Sequence, residues 1–212
     1  MIICGSDLTI VNAARVSFGV HKDILEDKDR KLIKYLVDHN HTSPFEHCLI
    51  TFRFKVPLFI RSQHHRHRTW SYNEISRRYT DENLEFYEPN EFRTQAKNNR
   101  QASNLTDLQN PLLKDYTGDC AKASEIVKKH HRNCVQLYNE MLEQGICREQ
   151  ARGVLPQNLY TEYYGTVNLN NLFKFIKLRD HEGAQLEMVY VARACRQLAS
   201  PLYPEALAAF GL

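Results

Sequence analysis

The sequence predicts an α+β fold: its helix-like segments are segregated from a few strand-like ones, one of which alternates strictly, and no internal repeat or low-complexity tract appears. At 212 residues the chain is long enough to bury its own core, and a single domain spanning 1–212 is expected.

The elements follow in order. Residues 24–39, ILEDKDRKLIKYLVDH, place Leu25, Leu32, Ile33, Leu36 and Val37 on one side at helical spacing, which predicts an amphipathic helix. HNHTSPFEH interrupts it. From Leu49, LITFRFKVP sets Ile50, Phe52, Phe54 and Val56 against Thr51, Arg53 and Lys55, the pattern of a half-buried strand. Pro57 suits the first position of a following helix, PLFIRSQHHRHR. Ser71 and Glu74 in SYNE match a Ser-x-x-Glu capping box, which predicts a new helix start there.

The section from about 88 to 115 is polar, carries Pro89 and Pro111 near its ends and has no apolar period. It is expected to be a polar loop, either a functional lid or a disordered segment. A long helix is predicted from about Asp119 to Gln144, with Ile126, Val127, Cys134, Leu137, Tyr138, Met141 and Leu142 apolar and Gly145 as its stop. REQARGVL should form a shorter helix ending before Pro156. LYTEYYGTVN has strand composition, NNLFKFIKLRD an asparagine-led helix start, and AQLEMVYVARACRQLA the pattern of a final amphipathic helix.

Composition narrows the function classes. Hydrophobic residues make up 42% with no run approaching a membrane span, and the N-terminus lacks the basic start of a signal peptide, so a soluble cytoplasmic protein is expected. The six cysteines form no C-x-x-C or ligand-like cluster and read as reduced thiols. A net charge of +3 is too mild for bulk nucleic-acid binding, so any anion affinity must come from where the arginines sit.

They concentrate in RHRTWSYNEISRRY, residues 66–79, which holds Arg66, Arg68, Arg77 and Arg78. Arg66, His67 and Arg68 beside a helix start at Ser71 would make an anion site suited to phosphate, because guanidinium charge adds to free N–H groups. Glu74, four residues before Arg78, would aim that guanidinium at a ligand. A solvated helix face with one surface ion pair explains the same spacing, and spacing alone does not separate the two. Histidines 39, 41, 47, 64, 65 and 67 show no zinc-ligand pattern such as H-E-x-x-H, so no metal is expected. Taken singly, Arg152 reads as a C-terminal dipole partner and Arg179 as a snorkelling surface charge.

Taken together, these segments resemble the flavin-dependent thymidylate synthases, whose signature is R-H-R, seven residues, then Ser. Here it reads Arg66-His67-Arg68, TWSYNEI, Ser76, and the wider form R-H-R-x-x-S-x-N-E-x-S-x-R is met through Arg78. ARVSF (14–18), HTSPFEH (41–47), QARGVLP (150–156), TVN (166–168) and KLR (177–179) recur in the family in this order. The resemblance implies an antiparallel sheet packed with helices, a homotetramer with shared active sites, and conversion of dUMP to dTMP. Methylenetetrahydrofolate would be the carbon donor, and FADH2 regenerated by NADPH the hydride donor.

By the same resemblance dUMP is held by Gln63, Arg66, Glu74, Ser76, Arg77, Arg78, Arg152 and Arg179, with Arg179 the catalytic residue that polarises the pyrimidine. FAD contacts map to Ser43, Arg66, His67, Arg68, Glu74, Asn168 and Asn170. A guanidinium beside uracil would stabilise charge developing on the ring. The flavin carries the hydride chemistry, so no side-chain nucleophile is implied, and Ser76, which has no dedicated base, is assigned to dUMP binding. The chain departs from the common pattern at Gly183, where many members carry a histidine, and at Asn170 and Lys174, where an arginine and an asparagine are often seen. The Pro-Cys-His setting of the cysteine-dependent thymidylate synthase is absent. A rival from another class, a nucleic-acid module using RHRTW as an Arg/aromatic platform, predicts a colourless protein with salt-sensitive oligonucleotide affinity.

Overall fold

The computed structural model describes residues 2–80 and 84–212. In chain order the strands are β1 (Ile2–Cys4), β2 (Leu49–Pro57), β3 (Ser71–Glu74), β4 (Phe92–Gln95), β5 (Ser103–Gln109), β6 (Leu112–Lys114), β7 (Cys120–Lys122) and β8 (Tyr160–Asn168). The helices are α1 (Asp7–Arg15), α2 (Asp27–Asp38), α3 (Leu58–His64), α4 (Ala123–Glu143), α5 (Arg148–Ala151), α6 (Leu169–Arg179), α7 (Leu186–Ala199) and α8 (Pro204–Phe210). The order β1-β2-β8-β3 makes a four-stranded sheet, with β1 antiparallel to β2 and Cys4 opposite Leu49; β4-β5 and β6-β7 are antiparallel pairs. Helices and antiparallel strands together give the α+β class that the sequence predicts.

The described residues group into two compact units, the first made of Met1–Arg53, His65–Asn73 and Tyr164–Leu212, the second of Phe54–His64 and Glu74–Tyr163. In the first, α2 buries Ile33 and Leu36 as its spacing requires, and α6 contributes Leu169, Leu172, Phe173 and Ile176 to the core. Asp7 is buried and accepts the backbone N–H groups of Glu205 (2.9 Å) and Ala206 (3.1 Å), so a carboxylate distant in sequence satisfies the free donors of α8. Burial raises its pKa despite those bonds. Asp29 is fully buried and receives Arg15 Nη2 (2.7 Å), Lys22 Nζ and the Glu26 N–H (3.0 Å). Burial alone would raise its pKa, but these donors outweigh it and hold the carboxylate at about 2.

In the second unit β2 ends as predicted, with Phe54 and Val56 buried and Lys55 exposed. Helix α3 starts at Leu58, one residue after Pro57, and stops at His64, so the Arg66–Arg68 run lies beyond it. α4 buries Tyr138 and His131 while His130 is exposed.

Two expectations are corrected. Ser71–Glu74 forms strand β3, not a helix start: it pairs beside β8, and the Ile75 N–H donates to the Glu162 carbonyl at 2.9 Å. A capping box and an edge strand both space polar side chains through a short run, and the neighbouring strand decided between them. The expected polar loop at 88–115 contains β4, β5 and β6. Its hairpin is fastened by Thr94 Oγ1 donating to Asp107 Oδ2 (2.6 Å) and Asn104 Nδ2 donating to Thr94 Oγ1 (2.8 Å). A ribbon with exposed side chains has little apolar surface to bury and writes no alternation into its sequence.

Candidate active site

Within the second unit, a cavity of about 310 Å³ is walled by side chains from four separate segments. Arg61 comes from α3, Glu74 from the end of β3, Ser76 and Arg77 from the following turn, Arg152 from the turn after α5, and Thr161 from β8. The turn is built by Ser76, whose carbonyl accepts the N–H groups of Tyr79 (3.0 Å) and Thr80 (3.3 Å) while its Oγ accepts that of Arg78 (3.3 Å). Glu74 Oε1 accepts Thr161 Oγ1 at 2.6 Å, with Thr161 only 4% exposed. Arg61 Nε stands 3.1 Å from the same oxygen, but this buried N–H is not aligned for a hydrogen bond, so the pair is coulombic. Three guanidiniums against one carboxylate leave the cavity net positive, a setting for an anionic ligand with a polar head.

The other expected residues of this unit lie as follows. Arg78 is exposed and donates through Nη2 to Tyr79 Oη (3.1 Å) with its guanidinium over the Tyr79 ring. Arg152 is exposed, and its Nε reaches the Glu149 carbonyl at 3.4 Å. Gln63 is not among the cavity's walls; its Oε1 is buried without a hydrogen-bond partner among the described residues.

In the first unit the structure joins His67 to Arg179, whose Nε donates to His67 Nε2 at 3.0 Å. An imidazole that accepts at Nε2 carries its proton on Nδ1 and is neutral. Burial, then the Arg179 charge, lower the His67 pKa to about 4. Burial also pulls the Arg179 guanidinium below its ordinary value, though it stays charged. The His67 ring packs edge-on against Phe175 with centroids 4.9 Å apart, and Tyr72 Oη donates to the His67 carbonyl at 3.1 Å.

Asn168 is the N-cap of α6, its Oδ1 accepting the Asn171 N–H at 2.9 Å, which accounts for the asparagine-led start two residues earlier than expected. Asn170 is 2% exposed and donates through Nδ2 to Glu46 Oε1 (2.9 Å), fastening α6 to the short turn Ser43–His47. Ser43, Arg66 and Arg68 are exposed. Trp70 is 6% exposed and packs against Phe175 and Phe52, so it offers no stacking face for the oligonucleotide platform. No group of three His, Cys, Asp or Glu among the described residues could hold a metal ion.

Sequence reasoning missed Arg61 and Thr161. Arg61 belongs to a helix read only from Pro57 at its start, and Thr161 is an ordinary strand residue; the signal would have been a burial prediction for a polar Thr in a strand.

The family model described as thymidylate synthase complementing protein matches residues 3–205 of this chain. The chain belongs to the flavin-dependent thymidylate synthase family. A flavin-dependent thymidylate synthase of Thermus thermophilus is 45% identical over 206 residues, covering 97% of this chain and 72% of that relative. One from Thermotoga neapolitana is 40% identical over 211 residues, covering 98% of this chain and 87% of the relative. Among solved structures, the UMP/dUMP methylase PolB from Streptomyces cacaoi bound with 5-Br dUMP superposes with a TM-score of 0.80 at 32% identity, covering all of this chain and 92% of that one. The family motif thus places Glu74 and Ser76 on the cavity and His67 in contact with Arg179 of the KLR segment.

Proposed function

We propose that this flavin-dependent thymidylate synthase family member converts dUMP to dTMP, with methylenetetrahydrofolate as carbon donor and FAD, reduced by NADPH, as cofactor. The observation that carries the reading is the convergence of Glu74, Ser76, Arg77 and Arg152 on one positively charged cavity. Arg77 and Arg152 neutralise the nucleotide phosphate, Ser76 offers a hydroxyl and a capped turn, and Glu74 accepts from a pyrimidine N–H. Arg78 and Gln63, which stand outside the cavity's walls, are assigned further nucleotide contacts by the family resemblance.

The first unit carries a donor set suited to FAD: exposed guanidiniums on Arg66 and Arg68 and the exposed Ser43 hydroxyl match a diphosphate. When bound, FADH2 supplies the hydride that reduces the transferred methylene to a methyl group. Asn168 keeps its Nδ2 as a donor while its Oδ1 caps α6, whereas Asn170 commits its Nδ2 to Glu46 and keeps Oδ1 without a partner among the described residues. Arg179, held by neutral His67, stabilises negative charge that develops on the pyrimidine ring. A homotetramer is the assembly we infer, supported by apolar side chains left in solvent, among them Val16 (72% exposed), Phe18 (83%) and Ile24 (73%). No described helix is long and apolar enough to cross a membrane.

The test is an absorbance spectrum after adding FAD and removing the excess, repeated with dUMP, followed by an assay of dTMP formation. Retained flavin absorbance, a dUMP-dependent spectral change and dTMP production are expected. A protein that retains no flavin and makes no dTMP refutes the assignment.

A further inference from the structure

The motif carboxylate Glu74 is held by two side chains that no motif names. Oε1 receives the Thr161 hydroxyl at 2.6 Å and faces Arg61 Nε at 3.1 Å, while Oε2 has no partner among the described residues. Both holders are themselves fixed: Thr161 is buried in β8, and Arg61 stands on α3, whose first N–H is tied to the Leu159 carbonyl two residues before Thr161 at 2.9 Å. A carboxylate with one oxygen hydrogen-bonded on one side and facing a guanidinium on the other is restricted about its terminal torsion. The remaining oxygen is then presented to the cavity in one orientation.

We propose that Thr161 and Arg61 are positioning residues for Glu74, engaging Oε1 so that Oε2 is the oxygen that accepts the N–H of the nucleotide's pyrimidine. The role rests on the proposed nucleotide function of this cavity. The hydroxyl contributes direction: it is a short, charge-assisted bond from a residue that cannot move. Arg61 contributes charge: its misaligned Nε attracts the carboxylate at Oε1 without competing for Oε2. Neither side chain needs to touch the nucleotide for this to work, which separates the role from that of Arg77 or Arg152.

The experiment is a pair of double-mutant cycles on the FAD-loaded protein, read as dUMP affinity by calorimetry and as KM and kcat. Thr161→Val, which keeps shape and removes the hydroxyl, should weaken dUMP binding about tenfold, the scale of a hydrogen bond to a charged group. Thr161→Ser should restore binding to within about twofold of wild type, since it returns the hydroxyl. In a Glu74→Gln background, Thr161→Val and Arg61→Gln should each change affinity by less than about twofold, because the group they position is already altered. Retained FAD and an unchanged melting temperature identify folded variants, and Thr161→Ser keeps the test open if Thr161→Val does not fold. Wild-type affinity in Thr161→Val, or losses that simply add to that of Glu74→Gln, overturn the positioning role; additive behaviour of Arg61 alone makes it a direct ligand instead. Wild-type protein that binds no dUMP removes the nucleotide function and this role with it, a result distinct from normal wild-type binding with unresponsive variants.

Discussion

Protonating His67 should break its bond with Arg179, and the cost can be worked from the structure. His67 is neutral because it accepts Arg179 Nε–H at 3.0 Å and is partly removed from water, which brings its pKa to about 4 against 6.5 for a free imidazole. The unfolded chain therefore binds this proton near pH 6.5, and the native protein only near pH 4. Between these values the unfolded state holds more protons, so the stability contribution is complete above about pH 6.5 and is lost as pH falls toward about 4. At about pH 5 linkage gives close to 2 kcal/mol for a fully shielded group, and solvent access to both side chains lowers the expectation to about 1–2 kcal/mol. The assay is urea unfolding of wild type and His67→Gln at about pH 7.5 and 5. Glutamine keeps an acceptor for Arg179 but does not titrate, so wild type should lose about 1–2 kcal/mol more than the variant over that interval. Equal losses in the two proteins, or a His67 proton titration near 6.5 by NMR, would refute the neutral-acceptor account.

Other expectations follow from the same geometry. Arg179→Ala should abolish dTMP formation while largely sparing the fold, because the guanidinium is only half-buried; near-normal turnover in a steady-state assay removes its catalytic role. Asp29→Asn removes the one negative charge between Arg15 and Lys22 in a fully buried position and should cost about 2–4 kcal/mol in denaturant unfolding at neutral pH. In wild type that stabilisation is present above the ordinary aspartate pKa of 3.8 and is lost as pH falls toward about 2, which acid titration would follow. Exposed Cys4, Cys120 and Cys147 should react with a thiol reagent in the native protein, whereas Cys48 and Cys195, buried and pushed up to about 12, should react only after unfolding; mass mapping of labelled peptides decides this.

Much of the frame was legible before any coordinates. The helix expected over 24–39 appears as Asp27–Asp38 and the strand from Leu49 as Leu49–Pro57, because burial on one face writes a period into neighbouring residues, 3.6 in the first and 2 in the second. Ser71–Glu74 reads two ways because four residues are too few for a period, and the partner strand chose between two polar patterns. The hairpin of β4 and β5 is silent in the sequence because its side chains are mostly outside the core.

By itself, then, the sequence determined the α+β class, the principal amphipathic elements and, through the R-H-R motif and its companions, the family. Tertiary structure alone decided which of those side chains work together. Thr161 meets Glu74 across 87 residues and Arg179 meets His67 across 112, while Asn170 Nδ2 meets Glu46 across 124. A hydrogen bond depends on where two backbones bring their donors and acceptors in space, and local sequence period records only which side of each element is dry.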